Sequence, residues 1–153
     1  MKKILFCAIC LVMALCCLVG CGSGDVAGKY ECSEYNDGKT TYTDVAKGIP
    51  IHAFFRMEIK EDGKAVFYSF SGKEEMDKEE FEWKKDGDKI IFTQPDKKNS
   101  EEEEGTIDGD TLTLTITEDG ITQKAVLKKV DSFSKYDIQE IMKSVAEAAK
   151  AED

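Results

Sequence analysis

"TLTLTIT", Thr111 to Thr117, is the stretch on which the fold turns. Leu112, Leu114 and Ile116 alternate with Thr111, Thr113, Thr115 and Thr117. Strict period 2 over this length reads as a strand with its aliphatic residues on a buried face and its β-branched threonines on a wet one. The strand is framed by turns. "DGD" (Asp108 to Asp110) precedes it, and "EDG" (Glu118 to Gly120) leads into "ITQKAVLKKV" (Ile121 to Val130). Glycine in such short connections supplies the positive φ that a tight hairpin needs.

The same phrase recurs upstream. "FFRMEIK" (Phe54 to Lys60), "EDG" (Glu61 to Gly63) and "KAVFYSF" (Lys64 to Phe70) read as strand, turn, strand. "FEWKK" (Phe81 to Lys85) and "KIIFTQ" (Lys89 to Gln94) flank another "DGD", with Pro95 ending the second strand. "SEEEEGTI" leads to the turn at Asp108, and "GKYECSEY" (Gly28 to Tyr35) supplies a first strand. That makes eight strands. "TDVAKGIPIHA" (Thr43 to Ala53) has no strand period and reads as a short helical turn and loop. "SFSKYDIQEIMKSVAEAAKAED" is helical, with Ile138, Ile141, Met142, Val145 and Ala149 on one face and Ser134 or Asp137 as candidate caps.

Short connections make sequence neighbours spatial neighbours, and closing a meander removes its exposed edges. The expected fold is therefore all-β in the main. It is an eight-stranded antiparallel up-and-down meander barrel, with a short helical turn after strand 1 and a C-terminal amphipathic helix packed on the barrel. "AGKY" at the first strand resembles the G-x-W opening of the lipocalin group, with Tyr30 in the place of Trp. "IKEDGKA", "FEWKKDGDKIIFT" and "GTIDGDTLTLT" are similar to the turn-and-strand phrases of small bacterial lipoproteins with lipocalin-like domains. The resemblance covers about residues 26–130. It implies a calycin-type barrel that binds a small apolar ligand, and it carries over no catalytic residue.

The N-terminus addresses location. "MKK" precedes an uncharged apolar run from Ile4 to Gly20, the order of a secretory signal. The run is short for a membrane span. "LVGC" (Leu18 to Cys21) resembles the bacterial lipobox, which implies cleavage before Cys21 and a thioether-linked diacylglycerol on its sulfur. Two acyl chains give lasting attachment where one is marginal. The expected layout is a cleaved signal over 1–20, a lipidated Gly/Ser tether over 21–27, the barrel over 28–130 and the helix region over 131–153. Localisation follows as the outer, extracytoplasmic face of the cell membrane. The C-x-x-C at Cys7 and Cys10 lies in the discarded segment, and the same fate takes Cys16 and Cys17. Cys32 is left without a partner once Cys21 is acylated, and reads as a small core residue.

The chain carries 31 acidic residues and a net charge of −10. Such a balance disfavours nucleic acid. Glu101 to Glu104 alternate across a strand and cannot converge on one ion, and the "DGD" turns lack the spacing of a calcium loop. His52 is the single histidine, and nothing in its spacing to Cys32 or a serine makes a triad. No metal site, no cofactor and no enzyme is expected. The remaining candidates are Phe55, Met57, Phe67, Trp83, Phe92 and Leu114, as barrel-lining and ligand-contacting residues. Two readings stay open. In one, the lining holds a small apolar ligand. In the other, it fills the barrel, and the domain is a ligand-free envelope module that meets an unidentified protein partner.

Cys21→Ser is expected to abolish incorporation of radiolabelled palmitate and to leave an uncleaved precursor. Labelling of that variant would refute acylation at Cys21.

Overall fold

Strands joined by short turns run antiparallel to their neighbours, and every strand pair here is antiparallel. The computed structural model describes residues 26–46, 48–70, 75–95 and 102–151. The signal segment, Cys21 and Glu101 lie outside these. β1 (Gly28–Asn36) is followed by three short strands, β2 (Thr41–Tyr42), β3 (Asp44–Ala46) and β4 (Ile49–Pro50), and by a 3-10 turn at Ile51–Ala53. Then come β5 (Phe55–Ile59), β6 (Lys64–Ser69), β7 (Asp77–Asp86), β8 (Lys89–Thr93), β9 (Glu103–Asp108), β10 (Thr111–Glu118) and β11 (Ile121–Val130), and last the helix α1 (Ile138–Ala151). From β5 to β11 each strand pairs with the next. β1 pairs with β5 on one edge and with β11 on the other. The result is a closed eight-stranded antiparallel barrel.

Turn chemistry fixes the registers. Between β10 and β11, Asp119 and Gly120 both take positive φ, 51° and 78°, the conformation of a two-residue hairpin matched to strand twist. Glu118 then faces Ile121, and Leu112 and Leu114 face Leu127 and Ala125 on the inside of the barrel.

The β1–β11 seam contains one irregularity. Cys32 pairs with Leu127 but Glu34 pairs with Val126, which makes Ser33 a bulge. Its hydroxyl donates to the Val126 carbonyl at 3.1 Å. The extra residue changes the phase of the strand, so Tyr30 and Cys32 point inward before it and Tyr35 after it. It also marks a change of partner. Gly28 to Glu31 pair with β5, whereas Tyr35 and Asn36 pair with β2.

Aliphatic and aromatic side chains fill the barrel toward the end that carries the turns at Gly63, Gly87 and Gly109. Val26, Tyr30, Ile59, Ile90, Phe92, Leu112 and Leu127 are all 2% exposed or less. Each such side chain contributes about 1.5–3 kcal/mol by leaving water. Val26 falls within the expected tether, yet it is buried in the core, and its carbonyl accepts the Tyr30 hydroxyl at 2.6 Å. Gly105 faces inward opposite Ile90 and Leu114. A Cβ there would stand 3.0 Å from Leu114 Cδ2 and 3.2 Å from Leu112 Cδ1, so the two leucines occupy the space that its missing side chain leaves.

The segment after β11 straps the outer wall. The Glu31 carboxylate, 7% exposed, accepts the Ser134 amide at 2.5 Å and the Ser134 hydroxyl at 2.9 Å. Arg56 stands opposite Glu31 in register and donates from Nη1 to the Ser134 carbonyl at 2.9 Å. Its guanidinium lies 5.5 Å from the Phe133 ring centre and 5.7 Å from that of Tyr136. Asp137 then caps α1, accepting the amides of Gln139 and Glu140 at 2.9 and 3.3 Å. Ile141 packs with Ile49 and Ala53, and Phe54, Phe70, Tyr136 and Val145 border that cluster. The helix is thus held beside the barrel through the excursion between β2 and β5. Both clusters and the complete ring lie among the described residues of 26–151.

Burial, with the Asp110 carboxylate adding to it, pushes the Tyr30 phenol up to about 12, and burial pushes the Cys32 thiol up to about 11. Both groups hold their protons more tightly in the folded state than at their ordinary values of 10.0 and 9.0. Stability is therefore whole below pH 9 and falls as the pH rises toward 12. Urea unfolding is expected to show this alkaline loss. Tyr30→Phe leaves the Val26 carbonyl unpaired at a cost of about 1–3 kcal/mol at pH 7, and should lose less at alkaline pH than the parent. An alkaline limb unchanged in the variant would exclude Tyr30 as a contributor.

Candidate ligand-binding site

The opposite end of the barrel is open. Here the inward side chains line a space instead of filling it. A cavity of about 140 Å³ lies inside the rim. Its wall is built by Phe55 and Met57 from β5, Phe67 from β6, Leu114 and Ile116 from β10, and Tyr35 beyond the bulge in β1. Ala125 completes the wall, and Glu103, Gln123 and Lys124 stand at the rim.

Period 2 explains most of this lining. Phe55 and Met57 alternate with outward Arg56, and Leu114 and Ile116 with outward Thr115. Met57 is directly opposite Phe67 in register, and Phe55 opposite Ser69. Phe55 and Phe67 meet edge to face with ring centres 4.8 Å apart, a favoured aromatic geometry. Tyr35 lies 5.9 Å from Phe55, and its hydroxyl donates to Gln123 Oε1 at 2.8 Å across the β1–β11 seam. Burial, with Asp37 and Tyr42 nearby, pushes its phenol above the ordinary range, so it remains a neutral donor.

Of the six residues expected to line the barrel, Phe55, Met57, Phe67 and Leu114 come together at this cavity. Phe92 and Trp83 face each other across the β7–β8 pair on the inner side, but they belong to the filled layer. Phe92 is 1% exposed and meets Phe81 edge to face. Trp83 donates from Nε1 to the Lys60 carbonyl at 2.9 Å, which holds it at the turn end of the barrel. Tyr35, Ile116, Gln123 and Ala125 also line the cavity and are not among the six residues expected there. Ile116 was visible as the third member of the Leu112, Leu114, Ile116 series. Tyr35 was concealed by the bulge, which reverses the phase of its strand.

The other polar candidates have structural surroundings. The Cys32 sulfur is fully buried, donates to the Glu34 carbonyl at 3.2 Å, and is kept protonated by burial. A thiol is a poor nucleophile in that state. His52 shares a hydrogen bond through Nε2 with the Tyr136 hydroxyl at the outer wall. Glu102 and Glu104 point outward to Lys84 and Lys89 at 3.2 and 2.8 Å, while Glu103 turns to the cavity rim. The strand alternation thus separates adjacent carboxylates as expected. Among the described residues, no group of three or more His, Cys, Asp or Glu is placed to hold a metal ion, and no helix is long and apolar enough to cross a membrane.

No family model matches the chain, and no curated protein or solved structure matches it either.

For residues 22–153, in which Cys32 is the single cysteine, a disulfide reagent at pH 8 is expected to modify no thiol in the folded protein and one thiol in urea. Rapid modification without denaturant would contradict the buried, protonated state.

Proposed function

We propose that this protein is a binding domain tethered to the outer face of the cell membrane through acylated Cys21, and that the mouth of its barrel receives a compact apolar group. The observation that carries the ligand reading is the cavity of about 140 Å³ among Phe55, Met57, Phe67, Leu114 and Ile116. An apolar cavity of about 150 Å³ is large enough for a benzene-sized molecule. It is below the range of about 300–1,000 Å³ typical of sites that enclose a whole ligand. The site is therefore suited to one end of a molecule, with the remainder passing out over the rim. The tether reading rests on the signal and the lipobox-like "LVGC". An acidic chain of net charge −10 fits a domain repelled from anionic headgroups yet held nearby by its anchor.

A second reading has its own support. The layer containing Tyr30, Ile90, Phe92 and Leu112 is filled, as in a barrel that serves only as a scaffold for a surface. In that case the domain is an envelope module that acts through a protein partner.

Titration with toluene, followed by amide NMR on isotopically labelled protein, separates the two. Saturable shifts centred on Phe67, Leu114, Ile116 and Ala125 are expected, and Ile116→Trp should weaken them about tenfold by filling the space. Absence of saturable shifts at these residues would remove the ligand reading and leave the scaffold reading in place.

A further inference from the structure

The cavity has a neighbour. A groove of about 340 Å³ lies on the outer side of Tyr35 and Phe55, which also line the cavity. Its other walls are Tyr42, Val45, Ile51, Phe54, Ser69 and Phe70. It exists because the barrel wall divides there. β5 leaves the edge of β1 after pairing with Glu31, and β2 takes that edge at Tyr35. Tyr42 on β2 and the Phe55–Ser69 pair at the ends of β5 and β6 then stand on opposite sides of the gap. The 3-10 turn and Phe54 form its floor. Phe54 meets Phe70 edge to face at 5.1 Å, and Tyr35 stacks with Tyr42 at 6.4 Å.

Neither space resembles a whole site alone. The cavity is smaller than a typical ligand pocket, while the groove is open and leaves Tyr42 and Val45 exposed at 37% and 43%. Taken together they reach the usual size, and Tyr35 and Phe55 form the shared sill. The lining of the groove is uncharged, and the rim of the cavity holds one carboxylate and one ammonium, Glu103 and Lys124. The chain as a whole is strongly acidic.

We infer that the ligand is a single elongated, uncharged apolar molecule that places one end in the cavity, crosses the Tyr35–Phe55 sill and lies along the groove between β2 and β5. This rests on the proposed ligand reading and adds to it the length, the path and the charge of the ligand. A charged end group gains nothing from the groove lining, and an anionic one opposes the net charge of the domain.

The test uses residues 22–153 and primary alkanols below their aggregation limits, with binding measured by calorimetry and amide NMR. 1-Hexanol is expected to bind in the cavity. Lengthening to 1-decanol should tighten binding by about twofold or more per methylene, short of the roughly fourfold that full burial of each methylene would give. Shifts should spread to Tyr42, Val45 and Phe70. Val45→Asp and, separately, Tyr42→Ser should remove most of this gain and leave 1-hexanol binding unchanged. Both side chains are exposed, so both variants are expected to keep the parent circular dichroism spectrum, and either one suffices if the other is unstable. Decanoate should bind at least tenfold more weakly than 1-decanol. A decanol gain that both groove variants preserve, or no gain beyond 1-hexanol, would overturn the groove and keep the cavity. Decanoate binding as tight as that of decanol would overturn the assignment of an uncharged ligand. Failure of 1-hexanol itself to bind would overturn the ligand reading and this inference with it.

Discussion

The pairing of β1 with β11 is the constraint on which the rest of the structure depends. It joins Lys29 to Val130 and Cys32 to Leu127 across nearly the full length of the domain, and it turns an open meander into a closed ring. Every other pairing in the ring connects strands adjacent in the barrel sequence and could form locally. This one requires that the loop entropy of the whole domain be lost before its contacts form. Its stability comes from the packing behind it, since Tyr30, Cys32, Leu127 and Leu112 are fully buried along the seam. The bulge at Ser33 is placed on the same strand. It lets the lower half of β1 complete the ring and frees the upper half to part from β5. Closure and opening of the barrel thus reside in consecutive residues of one strand.

The outer wall near that seam carries a different kind of order. Glu31 and Arg56 would be costly to bury without partners. The strap at Phe133–Tyr136 provides those partners through Ser134 and through two aromatic rings. The Arg56 Nε hydrogen stays without one. Polar satisfaction here has a positional effect. It fixes the chain between β11 and α1, and so it brings Tyr136 and Ile141 to the excursion that carries Phe54. The groove beside the barrel mouth is thus set in place from the C-terminal side of the domain.

Most of the fold was legible because its signals are local. The Leu/Thr alternation of β10, the glycine turns and the heptad-like face of α1 each act within a few residues, and each gave the element that formed. Asp137 was one of two candidate caps, and it is the one whose carboxylate takes the helix amides. What was hidden is what depends on partners far along the chain. β2, β3 and β4 are two or three residues long, too short for any period to register. β2 forms because β1 offers an edge that β5 has left, and β3 and β4 form by pairing with each other. Val26 sits in a Gly/Ser-rich segment, yet it completes the core because Tyr30 reaches back to its carbonyl. The candidate site was partly visible for the same reason. Alternation told which side chains of a strand share a face, but only the level of each strand in the closed ring separates Phe67 at the mouth from Phe92 in the filled layer.

Gly105 gives the cavity an unexpected form of adjustability. It touches no part of that space, but Leu114 leans into the room that its absent side chain leaves, and Leu114 is one wall of the cavity. A single methyl group at position 105 would stand 3.0 Å from Leu114 Cδ2 and oblige that cavity wall to shift. The dimensions of the binding space can therefore be revised by a change on the neighbouring strand, without substituting any residue that a ligand would touch.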